Sequence, residues 1–551
     1  MTNLATALEE AARAGGFAAA PALICGDDVR THAEVHDGAA RAATVLAQAG
    51  ARPGDRVLVA ANDGPGFVLA FLGAVRLGAV AVPVNPLVTA ADHAYLVADA
   101  RPRVVVCEAD LHRRFADAAS PALAVDELVA AVEGAEPSAA APAASTDAAY
   151  AQYTSGTTGP PKAAVHAHGH PLAYFEAFAR PALGLGPADV CLSVSKLYFA
   201  YGLGNSLFYP LLAGCAAVLH PGRPRPADVA ALVDRHRVTV LYSVPTFYAH
   251  LVAGEGVAGT QAAGTQAAGT EAAGTRAAGT RAAGTRAAGT RAAGNGEGRA
   301  MLPSLRVAVS AGEALTPALA ERVRRHLGCP VLDGLGSTEV GQTFASNTLH
   351  QWRDGTVGRA LDPYRVAVRD DAETEVPHGV EGTLWVAGPS LLLGYLGRPE
   401  ATAGVLVDGW LRTGDRALLD HDGFLHLRGR VDDVELVGGI CVAPAEVEAV
   451  LMAHPAVTEV AVAGVRDGHG ASRLEAYVVP GPAAPPDGGG RDEVAEELRA
   501  LARAELAAFK VPAVVVWVDA LPRTPTGKLR RFVLRSGAWT APAGAGGDRS
   551  A

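Results

Sequence analysis

The sequence predicts an α/β protein: a large N-terminal domain with mostly parallel sheets, followed by a small C-terminal α+β domain. Three observations predict it. Short, almost continuous apolar runs alternate with helical patterns through the first third of the chain. The same apolar runs resume after Arg237. From Gly429 onward, helices and strands of a different, compact pattern take over. A chain of 551 residues has room for roughly two to four domains and more than one core.

Taken in order, RVLVAAN (Arg56–Asn62) reads as a buried strand, Phe67–Gly78 has helical spacing, and VAVPVN (Val80–Asn85) is a second strand. A helix over Thr89–Ala98 precedes a third strand in PRVVVC (Pro102–Cys107). Strands apolar on both faces and separated by helices belong to a parallel sheet covered on both sides. VTVLYSV (Val238–Val244), LRVAVS (Leu305–Ser310) and TLWVAG (Thr383–Gly388) continue the pattern. In the small unit, APAEVEAVLMAHP reads as a helix, with Pro444 near its start and Glu446 and Glu448 in its first turn. VTEVAVAGV and EAYVVP read as strands, Arg491–Ala508 as a helix and AVVVWV (Ala513–Val518) as a strand.

Composition narrows the function. Asp plus Glu is 57 against 47 for Lys plus Arg, a net charge of −10, which argues against a broad nucleic-acid-binding surface. A local basic pocket for a phosphorylated ligand remains compatible with that balance. Cys25, Cys107, Cys191, Cys215, Cys329 and Cys441 form no CxxC pair, which excludes a zinc ribbon or dithiol redox motif. Scattered thiols fit a reducing cytosol, so a cytoplasmic protein is expected. MTNLATALEEAARAGG lacks the basic and apolar regions of a signal peptide. Tyr198–Leu219 carries no charge, but Gly202, Gly204, Asn205, Ser206, Pro210 and Gly214 break a lipid-facing helix. A buried strand–loop–helix segment is expected there, and no membrane span.

Glycine followed by threonine recurs every five residues from Gly259 to Gly289, in units of GT[Q/E/R]AA. Five is neither the period of a helix nor that of a strand, and each glycine weakens a helix by about 1 kcal/mol. Residues 254–299 therefore read as a low-complexity surface insertion.

YTSGTTGPPK (Tyr153–Lys162) packs Thr154, Ser155, Thr157, Thr158, two glycines and Lys162 into ten residues. Hydroxyls, backbone N–H groups and an ammonium in one loop suit polyphosphate oxygens. The spacing is not that of a Walker A loop, and alone it reads equally as an ordinary loop. No G-x-S-x-G elbow or H-E-x-x-H helix is present. His166, His168 and His170 in VHAHGH are spaced like a metal tract, but loop packing and hydrogen bonding are the expected roles.

With GLGSTE (Gly334–Glu339), RTGD (Arg412–Asp415), GRVDD (Gly429–Asp433) and PTGK (Pro525–Lys528), this loop resembles the adenylate-forming superfamily. That superfamily includes acyl- and aryl-CoA ligases, firefly luciferase and the adenylation domains of peptide synthetases. KLYFAYGLGNSLFYP (Lys196–Pro210) and LDGLGSTEV (Leu332–Val340) resemble the benzoate-CoA ligase branch. The resemblance implies the adenylate-forming enzyme fold. Residues 1–428 would bind ATP and the acid, 429–433 would form a hinge, and 434–551 would form a mobile lid. It implies two half-reactions: a carboxylate attacks the α-phosphate of Mg-ATP to give acyl-AMP and pyrophosphate, then a thiol displaces AMP.

By the same resemblance, Thr154, Ser155, Gly156, Thr157, Thr158 and Lys162 would hold the β- and γ-phosphates, and Thr338 the α-phosphate. Glu339 would bind magnesium, with a buried ion pair as its alternative. Gly312, Glu313, Asp333, Gly334 and Leu335 would lie beside the adenine. Asp415 would accept the ribose hydroxyls, or be a turn aspartate; Arg430 would reach ribose or phosphate, or pair at the hinge. Lys528 would contact the attacking carboxylate and the α-phosphate. Asp432 would be the hinge pivot, and Gly438 and Gly439 would line a pantetheine tunnel. Leu436 stands where many aryl-CoA ligases carry lysine, so any contact of that lysine is in doubt here.

Ala200, Tyr201, Gly202, Gly336, Gly341 and Gln342 match the acyl pocket of the benzoate branch. Gly341, Gln342 and Thr343 replace its common Leu-His-Ile, which is expected to open space and add hydrogen-bonding capacity. The expected function is ATP-dependent ligation of a benzoate-type acid to coenzyme A, with ATP, magnesium and coenzyme A as its small molecules. A separate acyl carrier protein is the alternative acceptor, since no carrier domain is expected after Arg535. A non-catalytic aryl-acid-binding relative is the alternative of another class.

Overall fold

The structure is a computed structural model. It describes residues 3–115, 120–154, 160–253, 302–313, 315–430, 435–437, 440–442, 444–466, 472–486, 490–523, 529–535 and 539. The Gly-Thr insertion lies outside the described residues.

Two large sheets build the N-terminal part. One has seven strands, in the order Gly394–Tyr395, Lys162–Ala167, Ala148–Thr154, Val80–Pro83, Arg56–Ala60, Val104–Cys107 and Ala122–Ala124. Its last five strands run parallel. The other has nine, with a parallel centre of Val331–Gly336, Val307–Ala311, Val240–Ser243, Val190–Ser193, Ala216–Val218 and Pro21–Cys25. Antiparallel strands close its edges. The strand Arg56–Ala60, the helix Pro65–Arg76 and the strand Val80–Pro83 form the first βαβ unit. Helices start where the sequence supplies caps: Thr31 with Glu34, and Thr89 with Asp92, form reciprocal capping boxes.

The main core fills the space between these sheets. Phe208 meets Phe71 and Tyr150 with ring centroids 5.9 and 5.6 Å apart, and all three are fully buried. Burial of rings this large dominates the apolar contribution to stability. Tyr198–Leu219 contributes three short helical stretches within Ala200–Ala213 and then the strand Ala216–Val218. Among the described residues, no helix is long and apolar enough to cross a membrane.

One reading of the strands is corrected. TLWVAG was expected to extend the parallel pattern, yet Gly382–Ala387 lies in a five-stranded antiparallel sheet, paired with Arg365–Arg369 and Trp410–Leu419. Its residues are buried on both faces, so its apolar run imitates a parallel strand.

Beyond Gly429, the strands Val457–Arg466, Ser472–Pro480 and Val514–Trp517 form a mixed sheet. The helices Pro444–Leu451 and Gly490–Glu505 pack on it through Val447, Leu451, Leu498 and Ala502. This is the small α+β unit.

Candidate active site

The carboxyl ends of parallel strands are where an α/β sheet gathers ligand-binding loops. Val307–Ala311 ends at Gly312–Glu313, and its neighbour Val331–Gly336 runs on into Ser337–Thr338–Glu339, with Ala311 opposite Gly334. Gly312 has φ +92°, a turn that a side chain would strain. Asp333 is buried, and burial pushes its carboxyl well up. Its Oδ1 has no well-formed hydrogen bond among the described residues. Leu335 is buried beside it.

The turn carrying Thr338 and Glu339 is held from three sides. The Thr338 carbonyl lies 2.7 Å from His166 Nε2. The Glu339 carbonyl accepts Leu392 N–H at 2.7 Å, and Glu339 Oε1 accepts the Tyr395 hydroxyl at 2.9 Å. Lys162 starts the strand Lys162–Ala167, opposite Thr154. Its ammonium lies 4.9 Å from the centroid of the Tyr395 ring. Ser155, Gly156, Thr157, Thr158, Asp432, Gly438, Gly439 and Lys528 lie outside the described residues. So does the side chain of Leu436.

Asp415 and Arg430 face each other in register across two antiparallel strands, with Arg430 Nη1 donating to Asp415 Oδ1 at 3.1 Å. Gly414, the residue before Asp415, has φ +76°, and a Cβ there would come within 2.8 Å of Arg430. Glu313 accepts Thr246 Oγ1 and Arg523 Nη1, both at 2.6 Å.

Ala200 and Tyr201 start the short helix Ala200–Leu203. A Cβ on Gly202 would stand 2.1 Å from the Lys196 carbonyl, so the preceding loop folds directly onto it. That loop is fixed by Asp63: its carboxylate accepts Leu197 N–H at 2.9 Å and pairs with the Lys196 ammonium at 3.2 Å. Gln342 is buried, and its Nε2 donates to the carbonyls of Ala200 and Tyr201 and to Asn205 Oδ1. Thr343 Oγ1 donates to Gln342 Oε1 at 3.1 Å. Gln342 thus spends its N–H groups inside the protein and does not offer the free donors expected of it. Gly341 likewise opens no space, because a Cβ there would meet Tyr174 and His166 at 3.2 and 3.3 Å. Gly336 is packed against the Gln342 carbonyl, 2.8 Å from where its Cβ would be.

The VHAHGH histidines take three different partners. His166 pairs with the Thr338 carbonyl and, at 3.0 Å, with His170 Nδ1. His168 Nδ1 accepts Leu4 N–H at 3.0 Å. His168 lies past the end of the strand Lys162–Ala167, so strand alternation does not bring the two rings to a common partner. Sequence reasoning missed His166, Tyr395, Asp63 and Arg523 as neighbours of the site. His166 lies in VHAHGH and Arg523 in PRTPTGK, whereas Tyr395 and Asp63 stand in no motif.

The donor set fits a magnesium nucleotide. The buried Asp333 Oδ1 is an acceptor suited to the amino group of adenine. Glu339 Oε2 has no partner among the described residues, and a carboxylate oxygen suits a hard cation.

Residues 9–396 match the AMP-binding enzyme family, and residues 446–528 match the AMP-binding enzyme C-terminal domain. The p-hydroxybenzoic acid–AMP ligase FadD22 of Mycobacterium tuberculosis is 40% identical over 98% of this chain and 70% of its own. A benzoate–CoA ligase of Thauera aromatica is 36% identical over 88% of this chain and 86% of its own. A crystal structure of a benzoate CoA ligase from Burkholderia xenovorans LB400 superposes with a TM-score of 0.82 at 32% identity. It covers 97% of this chain and 100% of that one.

Proposed function

The chain belongs to the AMP-binding enzyme family, and we propose that it is an ATP-dependent ligase that adenylates a benzoate-type acid and delivers the aroyl group to coenzyme A. The observation that carries this reading is the meeting of Lys162, Tyr395 and Glu339 where the ends of the two large sheets converge. A cation and a carboxylate are there held beside the Thr338 turn.

In the first half-reaction, a carboxylate oxygen attacks the α-phosphorus of ATP and the bond to pyrophosphate breaks. Ser155, Thr157, Thr158 and Lys162 hold the β- and γ-phosphates, and Thr338 contacts the α-phosphate. Glu339 would hold magnesium, which would neutralise phosphate charge. Asp333 receives the adenine amino group, and Asp415 with Arg430 fixes the ribose. Lys528 meets the charge that develops as the new bond forms, a contribution typically worth ~3–4 kcal/mol in a dry site. In the second half-reaction, a thiol sulfur attacks the acyl carbon and AMP leaves. Asp432 is the pivot between the two arrangements, and Gly438 and Gly439 border the thiol's path.

Tyr201 and Ala200 form the acyl wall. With Gln342 occupied internally, ring substituents are read by Tyr201 and by Asn205, whose buried Nδ2 lies beside the Tyr201 hydroxyl and makes no well-formed hydrogen bond among the described residues. An unpaired buried donor penalises a ring that cannot use it. A hydroxybenzoate is therefore the favoured substrate, in keeping with the name of the 40%-identical relative.

The same relative, an acid–AMP ligase by name, supports a second reading, in which a carrier protein's phosphopantetheine thiol is the acceptor. Pyrophosphate release with Mg-ATP tests both readings, using benzoate, hydroxybenzoates, aminobenzoates, cinnamate, acetate and octanoate, each with and without coenzyme A. Turnover confined to benzoates and accelerated by coenzyme A is the expected result. Adenylate that coenzyme A does not discharge would favour the carrier protein.

A further inference from the structure

We propose that Tyr395 is a positioning residue of the nucleotide–metal site, holding the Glu339 carboxylate with its hydroxyl and the Lys162 ammonium on its ring face. The inference rests on the function proposed above. It begins with where the chain puts Tyr395. Residues 392–396 are strapped to both partners through the main chain. Leu392 N–H donates to the Glu339 carbonyl at 2.7 Å, and Leu393 and Leu396 donate to Val165 and Ala163 at 2.8 Å. Tyr395 lies opposite Ala164, two residues from Lys162. Its own N–H donates to Thr402 Oγ1 at 2.9 Å. The backbone is thus fixed before the side chain makes any contact.

Tyr395 as a residue is 7% exposed. Its hydroxyl donates to Glu339 Oε1 at 2.9 Å, and its ring faces the Lys162 ammonium at 4.9 Å. A phenol can give one proton to a carboxylate oxygen and leave the other oxygen for a cation. The second consequence concerns charge. Lys162 and Glu339 carry opposite signs, and direct contact would let each neutralise the other. No ion pair joins them in the structure: the ammonium lies over the face of the Tyr395 ring and the carboxylate lies at its hydroxyl. One aromatic side chain therefore keeps the phosphate-binding cation and the metal-binding anion apart and both available.

The test uses the full chain and Mn²⁺ as the probe. Electron paramagnetic resonance reads free Mn²⁺ in the presence of ATP, and calorimetry reads ATP binding in EDTA. Tyr395→Phe keeps the ring and loses the hydroxyl. It is expected to weaken Mn²⁺ binding about tenfold or more, the worth of a hydrogen bond to a charged group, with ATP binding in EDTA unchanged. Tyr395→Leu is expected to weaken both. In a Glu339→Gln background, Tyr395→Phe is expected to have no further effect on Mn²⁺. Thermal melts of each variant accompany the titrations. Unchanged Mn²⁺ affinity in Tyr395→Phe, or equal losses with and without Glu339, would overturn the proposal alone. Wild-type protein that binds no ATP would overturn it together with the proposed function.

Discussion

Arg523 and Glu313, 210 residues apart in sequence, form an ion pair of 2.6 Å that joins the small unit to the large one. The same guanidinium reaches Glu459 at 2.6 Å, and Glu459 lies 2.6 Å from His250 Nε2. Burial pushes the Glu459 carboxyl up, but Arg523 and His250 outweigh it and hold the group at about 2. Two carboxylates from different units thus share one cation, five residues before Lys528.

Arg523→Ala would leave Glu313 and Glu459 facing each other without their shared charge. Removing one partner of a largely buried pair costs about 3–5 kcal/mol, part of which appears as looser docking of the small unit. Adenylation is expected to slow about tenfold or more, with conversion of added acyl-AMP to thioester affected less. Arg523→Lys should restore part of the rate. Rapid-quench measurement of the two half-reactions checks this, and equal losses in both would contradict it.

Lys528→Ala is expected to lower adenylation by at least ~10²-fold, the scale of one lost charge-stabilising group. Preformed acyl-AMP should still react with the thiol. Parallel loss of both steps would remove the role given to this lysine.

Gly202→Ala should act on the acid and spare the nucleotide. Its new methyl would stand 2.1 Å from the Lys196 carbonyl and 2.5 Å from that of Ser195. Because backbone must move, destabilisation of about 1–3 kcal/mol is expected. Tyr201 would shift with it, so KM for the aryl acid should rise about tenfold, with KM for Mg-ATP unchanged. Steady-state kinetics with each substrate varied in turn decide the matter.

Stability should fall on mild acidification. Burial holds His32, His36 and His166 down to about 4 and His170 to about 3, below the ordinary value of 6.5. Between those values the unfolded chain takes up protons that the folded chain refuses. Unfolding free energy therefore decreases as pH drops from 6.5 towards 4, by up to ~1.4 kcal/mol per pH unit for each histidine. Urea midpoints at about pH 7.5 and about pH 5 measure the slope; a flat profile would contradict it.

Much of the fold was legible because it is written in local pattern. The strand Arg56–Ala60, the helix Pro65–Arg76 and the strands Val104–Cys107 and Val514–Trp517 follow apolar runs and helical spacing within a residue or a few of expectation. The antiparallel pairing of Gly382–Ala387 was not legible, since burial on both faces erases the alternation that distinguishes the two sheet types. A candidate site could be named from sequence where one short segment carries several chemical groups, as Tyr153–Lys162 and Gly334–Glu339 do. Tyr395, Asp63 and Arg523 could not, because each meets its partner across 56, 134 and 210 residues respectively. An isolated tyrosine or aspartate has no signature until the chain folds.

Gln342 bonds the main-chain carbonyls at 200 and 201, and neither side chain there. The clamp is therefore indifferent to which amino acids occupy those two positions. Divergence between ligases of this kind can exchange residues 200 and 201 without losing this clamp, acquiring a new acid while the main chain that presents it stays held. A library randomised at those two codons, with Gln342 kept, is where altered substrate range should be sought.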